Sequence, residues 1–133
     1  MKEKLADITG IAAARLLVLP QHREKIYETD VSDSELNARF KYSFNILYAG
    51  NISPAQSFST MIEAAKLLQQ QGIDNVRGII VGDGMSRSDV EREVREAGMD
   101  SSFVFEGQKP ITEIPKYNHV ADVLVGCLAK SDL

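Results

Sequence analysis

The sequence holds a single cysteine, Cys127, among 133 residues. One thiol closes no internal disulfide, so packing must hold the fold, and the count fits a reducing compartment. Cys127 itself reads as a small buried hydrophobe at the end of a strand. Tryptophan is absent, and histidine occurs twice, as His22 and His119. Neither histidine has a cysteine or an acid beside it at metal-ligand spacing, so no metal site is expected. His119 reads as a helix-end residue near the sheet. A basic excess is lacking too: 15 lysines and arginines against 19 acids leave a formal charge of -4. That balance does not neutralise a phosphate backbone, which removes nucleic acid as a partner. The best apolar run, Ile8 to Leu19, is about twelve residues long and is broken by Arg15, whereas a membrane span needs roughly twenty. No export signal is apparent, and the formal sequon Asn51-Ile52-Ser53 is read as chance. The expected location is the cytoplasm.

What is present is an alternation of strand and helix patterns. Residues 1–41 stand apart. Lys4 to Ala14 can form a helix, and Leu16 to Leu19 is a short apolar run closed by Pro20, as for a strand and a turn. Gln21 to Lys41 is polar, with Ser32, Asp33, Ser34 and Asn37 as loop or cap residues, and suits a linker outside the compact core. From Tyr42 the pattern becomes regular. Phe44 to Ala49 is a buried strand ending at Gly50. Phe58, Met61, Ile62, Ala65 and Leu68 recur on one helical face, with Ser57 to cap the start and Gly72 to close the end. Gly78 to Val81 is a second strand. Ser86 then opens a charged helix that carries Val90, Val94 and Ala97 inward and stops at Gly98. Its Arg87, Glu91, Arg92, Glu93, Arg95 and Glu96 read as a solvated face with i,i+4 pairs. Phe103 to Phe105 is a third strand, Thr112 to Asn118 a short helix, and Val123 to Val125 a fourth strand after Asp122, which orients a turn. Strands this apolar are covered on both faces, so an α/β, doubly wound parallel sheet is expected, with ligands beyond the carboxyl ends of its strands.

Three loops leave those ends. The first, Gly50 to Ser57, runs into a helix whose free amides can hold an anion, with Asn51 and Gln56 as neutral donors. The second, Gly82-Asp83-Gly84, permits a tight turn and the close approach of a ligand. It is neither a Walker loop nor the three-glycine dinucleotide fingerprint. The third, Gly107-Gln108-Lys109-Pro110, offers open backbone groups to a planar base and a lysine charge to a phosphate. Taken alone, each reads more readily as a plain connection, with Lys109 a solvated loop residue. No Ser-His-Asp or Cys-His arrangement can be read from the order of residues.

Taken in order, the segments resemble a known family. Phe44 to Asn51, then Ala55-Gln56, then Ile62 to Ala65, looks like the start of the C-terminal, donor-binding domain of retaining glycosyltransferases of the GT-B type. Gly78 to Gly84 resembles the next signature of that domain. Phe103 to Gly107, Ile114 to Tyr117 and Ala121 to Val125 match its later segments, and Val18-Leu19-Pro20-Gln21 resembles the entry from the interdomain linker. The resemblance covers residues 16 to 129. It implies a Rossmann-like half of a GT-B fold, truncated, divided into a remnant of the interdomain helix, strand and linker over 1–41 and a partial donor domain over 42–133.

The implied activity is transfer of a sugar from a nucleoside diphosphate sugar, UDP-linked, to a polysaccharide or lipid-linked acceptor. It needs no cofactor and no catalytic metal, because positive side chains and helix amides stabilise the departing diphosphate. By the same resemblance Gly50, Asn51 and Gln56 would hold the diphosphate, and Gly82, Asp83, Gly84, Gln108 and Lys109 the nucleoside. Many relatives have an arginine and a lysine where this sequence has the neutral Asn51 and Gln56. The Gly-Asn and Ala-Gln pairs resemble a subset associated with amino-sugar polysaccharide enzymes. The family's paired glutamates and glycine-rich loop lie beyond the fourth strand, and its acceptor domain precedes the linker. The expectation is therefore an inactive fragment without catalytic residues of its own, taken from an enzyme working in the cytoplasm, at the inner face of the membrane. The alternative is a free-standing nucleotide-binding or protein-interaction module. Another doubly wound enzyme is a third option, but the acidic cluster expected of phosphotransfer is not apparent. If the assignment holds, Gly82→Val blocks the ligand and Gln56→Ala weakens its diphosphate contacts.

Overall fold

The structure, a computed structural model, describes residues 2–17 and 31–129. Four runs rich in Ile, Val, Leu and Phe form the strands β1 (Phe44–Ala49), β2 (Val76–Val81), β3 (Phe103–Gly107) and β4 (Val123–Leu124). All neighbours pair in parallel, in the order β3-β2-β1-β4. The helices are α1 (Lys2–Thr9), α2 (Ser34–Phe40), α3 (Phe58–Gln70), α4 (Arg87–Glu96) and α5 (Ile114–Val120). After β3 the chain crosses back over the sheet through α5 and adds β4 beyond β1.

Strand alternation sends successive side chains to opposite faces, and helices cover both. On one face Tyr48, Ile80 and Phe103 meet Phe58 and Ile62 of α3 and Val90 and Val94 of α4. On the other, Leu47, Ile79 and Val81 meet Phe40 of α2 and Tyr117 of α5. Gly78 is small because the Phe103 ring lies where a Cβ would be, 2.7 Å away. Helices α3 and α4 stop as their glycines require. Gly72 and Gly98 take positive φ, and the next amides, Ile73 and Met99, bond back to Leu68 and Val94 at 3.0 Å.

Several expectations need correction. The helix expected over Lys4 to Ala14 ends at Thr9; Gly10 takes φ 68° and a 3-10 turn follows at Ala13–Arg15. The strand expected over Leu16 to Leu19 and the turn at Pro20 fall largely outside the described residues, as does His22; Leu16 and Leu17 form no strand. The polar stretch read as a linker contains α2, whose last residue, Phe40, is 1% exposed and belongs to the core. Asp33 initiates that helix, its carboxylate accepting the amides of Glu35 and Leu36 at 3.1 Å. Ser57 and Ser86 do stand at the starts of α3 and α4, but neither side chain makes the capping bond. Strand β4 is two residues long, and both are exposed, so the sheet is fully sandwiched only over β1 to β3.

The amino ends of the strands are knotted by side chains. Buried Asn45 donates from Nδ2 to the carbonyls of Phe40 and Val120, 3.0 and 2.9 Å away. It thus joins the last residues of α2 and α5 to β1. The Asp122 carboxylate accepts the Asn45 amide at 2.7 Å, which sets β4 beside β1.

A candidate nucleotide cleft at the carboxyl ends of the strands

At the opposite end of the sheet the loops are joined by backbone. The Gly50 amide donates to Val81 O at 2.9 Å, Ile52 to Asp83 O at 2.9 Å, Gly82 to Gly107 O at 2.8 Å and Ser86 to Ile52 O at 3.1 Å. This stitching requires glycine. A Cβ on Gly82, at φ 136°, would lie 1.9 Å from the Gly50 carbonyl oxygen, and one on Gly84, at φ 158°, 2.2 Å from that of Ile52. The two loops therefore meet because both glycines are there, and backbone carries the junction between them. Tyr48 supports the first loop by donating to Asn51 O at 2.7 Å, and burial raises its phenol pKa.

The stitched loops form one wall of an open cleft of about 560 Å³. Gly50, Asn51, Gly82 and Asp83 line that wall; Gln108, Lys109, Ile111 and Ile114 line the other. Six of the eight residues singled out from the sequence thus come together. Gly84 and Gln56 do not line the cleft: Gly84 packs under Ile52, and Gln56 turns its oxygen back to the amide and hydroxyl of Ser53. Gln56 shapes the first loop from behind. Asp83 accepts the Gly84 amide at 2.8 Å and faces Arg87 at 3.8 Å, so its charge is partly answered from α4. Arg87 also bonds Glu91 at 2.8 Å, and its pKa is raised by that bond first. Arg87–Glu91 and, at 3.8 Å, Arg92–Glu96 are the expected i,i+4 pairs, but Arg87, Glu91 and Glu93 are half-buried, so the charged face is only partly solvated.

A second hollow of about 420 Å³ lies between α3 and the sheet, lined by Met61, Leu68, Phe103, Val125, Cys127 and Leu128 among others. It is lined chiefly by apolar atoms and sits away from the clustered loops, so a charged ligand is better served by the cleft. Cys127 is half-buried there, 3.8 Å from the Met61 sulfur, and burial raises its thiol pKa. Asp122 and His119 are likewise placed as the sequence suggested, at a turn and in the last turn of α5.

One part of the site escaped the sequence reading. Glu106, near the end of β3, is 7% exposed and gathers three partners. Tyr117 donates to Oε2 at 2.8 Å, the Arg39 guanidinium stands 2.6 Å from Oε1 without hydrogen-bond alignment, and Lys109 Nζ lies 3.7 Å from Oε2. Burial, then the bond to Glu106, pushes the Tyr117 phenol well above its usual pKa. The available signal was a glutamate inside the apolar run Phe103-Val104-Phe105-Glu106, which needs partners wherever it is buried.

A parallel sheet covered on both faces, with a polar cleft beyond its strand ends, is the architecture of a nucleotide-binding Rossmann-like domain. Residues 33–129 match the family described as glycosyl transferases group 1, and the chain belongs to that family. It is 36% identical over 78 residues to the 2-deoxystreptamine glucosyltransferase of Streptomyces kanamyceticus, a match covering 59% of this chain and 20% of that enzyme. Among solved structures it resembles Anabaena HepE in complex with UDP and glucose, at 19% identity and a TM-score of 0.60 over 71% of this chain and 26% of that one. It also resembles the C-terminal domain of the group 1 glycosyl transferase LpcC from Francisella tularensis, at 20% identity and a TM-score of 0.56 over 74% and 55%. The fold is thus the Rossmann-like part of a GT-B glycosyltransferase. The chain spans about a fifth of the glucosyltransferase. Among the described residues no helix is long and apolar enough to cross a membrane.

Proposed function

We propose that this chain supplies the nucleotide wall of the donor site in a glycosyltransferase that moves a sugar from a UDP-linked donor to a polysaccharide or lipid-linked acceptor, with retention at the anomeric carbon. The observation that carries the reading is the convergence of Gly50-Asn51, Gly82-Asp83 and Gln108-Lys109 on one cleft at the carboxyl ends of the strands. Family membership and the likeness to a fold solved with UDP and glucose support it. Within this reading the base lies against the Gln108-Lys109 loop, where Ile111 and Ile114 add apolar surface. The diphosphate lies toward Gly50 and Asn51, held by backbone and side-chain donors rather than by a catalytic metal. Gln56 acts indirectly, by keeping the loop from Ser53 in shape.

The acceptor domain, the contacts to ribose and sugar, and any attachment at the inner face of the membrane belong to the remainder of the enzyme. The donor half begins near Asp33, and the segment ahead of it joins the two domains. The test is an amide NMR titration of the chain with UDP, with ADP as control. Shifts confined to the three loops and stronger with UDP support the reading; equal, scattered shifts with both nucleotides, or none, count against it.

A further inference from the structure

The Glu106 cluster sets two cations, Arg39 and Lys109, against one carboxylate charge. Strand β3 carries an irregularity at this point: Ile80 pairs with Phe105, but Val81 pairs with Gly107, so Glu106 is the extra residue. Such bulges re-aim a side chain. Here the carboxylate lies against Tyr117 of α5 and Arg39 of α2. Arg39, 2.6 Å from Oε1, answers its charge and Tyr117 bonds Oε2, so both stay on the carboxylate without Lys109, although Oε1 receives no aligned hydrogen bond. Lys109 is the surplus partner. Its 3.7 Å separation exceeds a hydrogen bond, and it alone of the three lines the cleft. It is also the only cation among the described residues lining that cleft, whose other wall carries Asp83 and the neutral Asn51.

We infer that Lys109 is a transferable cation: it rests on Glu106 while the cleft is empty and passes to the diphosphate of the bound nucleotide, while the Arg39 charge and the Tyr117 hydrogen bond stay on Glu106. This rests on the donor-site reading above and deepens it. Lys109 is then the phosphate ligand, and Arg39 and Glu106 are positioning residues. Removing Arg39 leaves Glu106 with one cation, which it retains. The effect should fall on the phosphates and spare the nucleoside.

The test compares UDP and uridine affinities by NMR titration for the wild type, Arg39→Met, Lys109→Met and the double variant. An ion contact near 4 Å at a wet surface is worth roughly fivefold in affinity. Arg39→Met should weaken UDP by about that factor and leave uridine unchanged, Lys109→Met should weaken UDP by at least that factor and by more than it weakens uridine, and Arg39→Met should add nothing once Lys109 is gone. In the wild type, pyrophosphate alone should move the Lys109 Cε and Nζ resonances, which needs no variant to fold. If the wild type binds UDP and Lys109→Met binds it equally well, the inference falls and the donor-site reading stands. If only Arg39→Met is without effect, the hand-over falls. If the wild type binds neither UDP nor pyrophosphate, both fall together.

Discussion

The two ends of the sheet are held by different chemistry. At the amino ends a buried side chain, Asn45, ties α2, α5 and β1, and Asp122 fixes β4. At the carboxyl ends the loops are stitched amide to carbonyl, and glycines let them meet. On the proposed reading the difference separates stability from recognition. Side chains spent on holding the fold are unavailable to a ligand, so the cleft end leaves most of that work to backbone, with Tyr48 and Gln56 behind the first loop, and has Asn51, Asp83, Gln108 and Lys109 at the cleft.

The sharpest way to break this contrast is at Gly82. In Gly82→Val the added carbons meet the Gly50 carbonyl, and the backbone must leave a conformation that valine avoids. The expected loss is about 3 kcal/mol or more, read by urea denaturation. That differs from the simpler expectation of a blocked ligand: the variant should lose its fold before its affinity is in question. A variant as stable as the wild type would show that the stitching is dispensable.

Asn45→Ala attacks the other end. Two buried carbonyls lose their donor, at a cost of about 2 kcal/mol, while chemical shifts in the three cleft loops should hardly change. Asn51→Ala is the converse: denaturation within about 0.5 kcal/mol of the wild type, with UDP binding weakened. Equal stability losses at Asn45 and Asn51 would erase the proposed division of labour.

The smallest effect should be a pH dependence at the start of α2. The pKa of Asp33 is lowered by its bond to the Leu36 amide first, with Lys116 and the Glu35 amide adding to it. A depressed carboxylate contributes stability above its unfolded pKa and loses it as the pH falls through the folded one. The Glu35 and Leu36 amides should therefore shift below the usual aspartate range, and in Asp33→Asn that acid transition should vanish. Persistence of the transition in Asp33→Asn would assign it to another group.

Much of the fold was legible because local patterns and tertiary demands agree. Strand β1 has the bounds its apolar run suggests, and Gly72 and Gly98 end helices where expected, since few residues accept their positive φ. Helix α2 was missed because Ser34, Glu35, Asn37 and Arg39 make a polar sequence in which only Leu36 and Phe40, four residues apart, face the core. Two apolar positions are too few to make a periodicity. Glu106 was missed because its partners come from α2 and α5, 67 residues back and 11 ahead in the case of Arg39 and Tyr117.

The sequence by itself determined the alternation of strands and helices, the glycine-bearing loops after the first three strands, and therefore the family. These depend on periodicity and turn chemistry, which act over a few neighbours. Only the tertiary structure decided which polar residues hold the fold and which face the cleft. Asn45, Glu106 and Gln56 are as polar as Asn51 and Lys109, but they are turned to carbonyls, cations and amides brought near by chain crossovers, and that assignment depends on who the neighbours are in space.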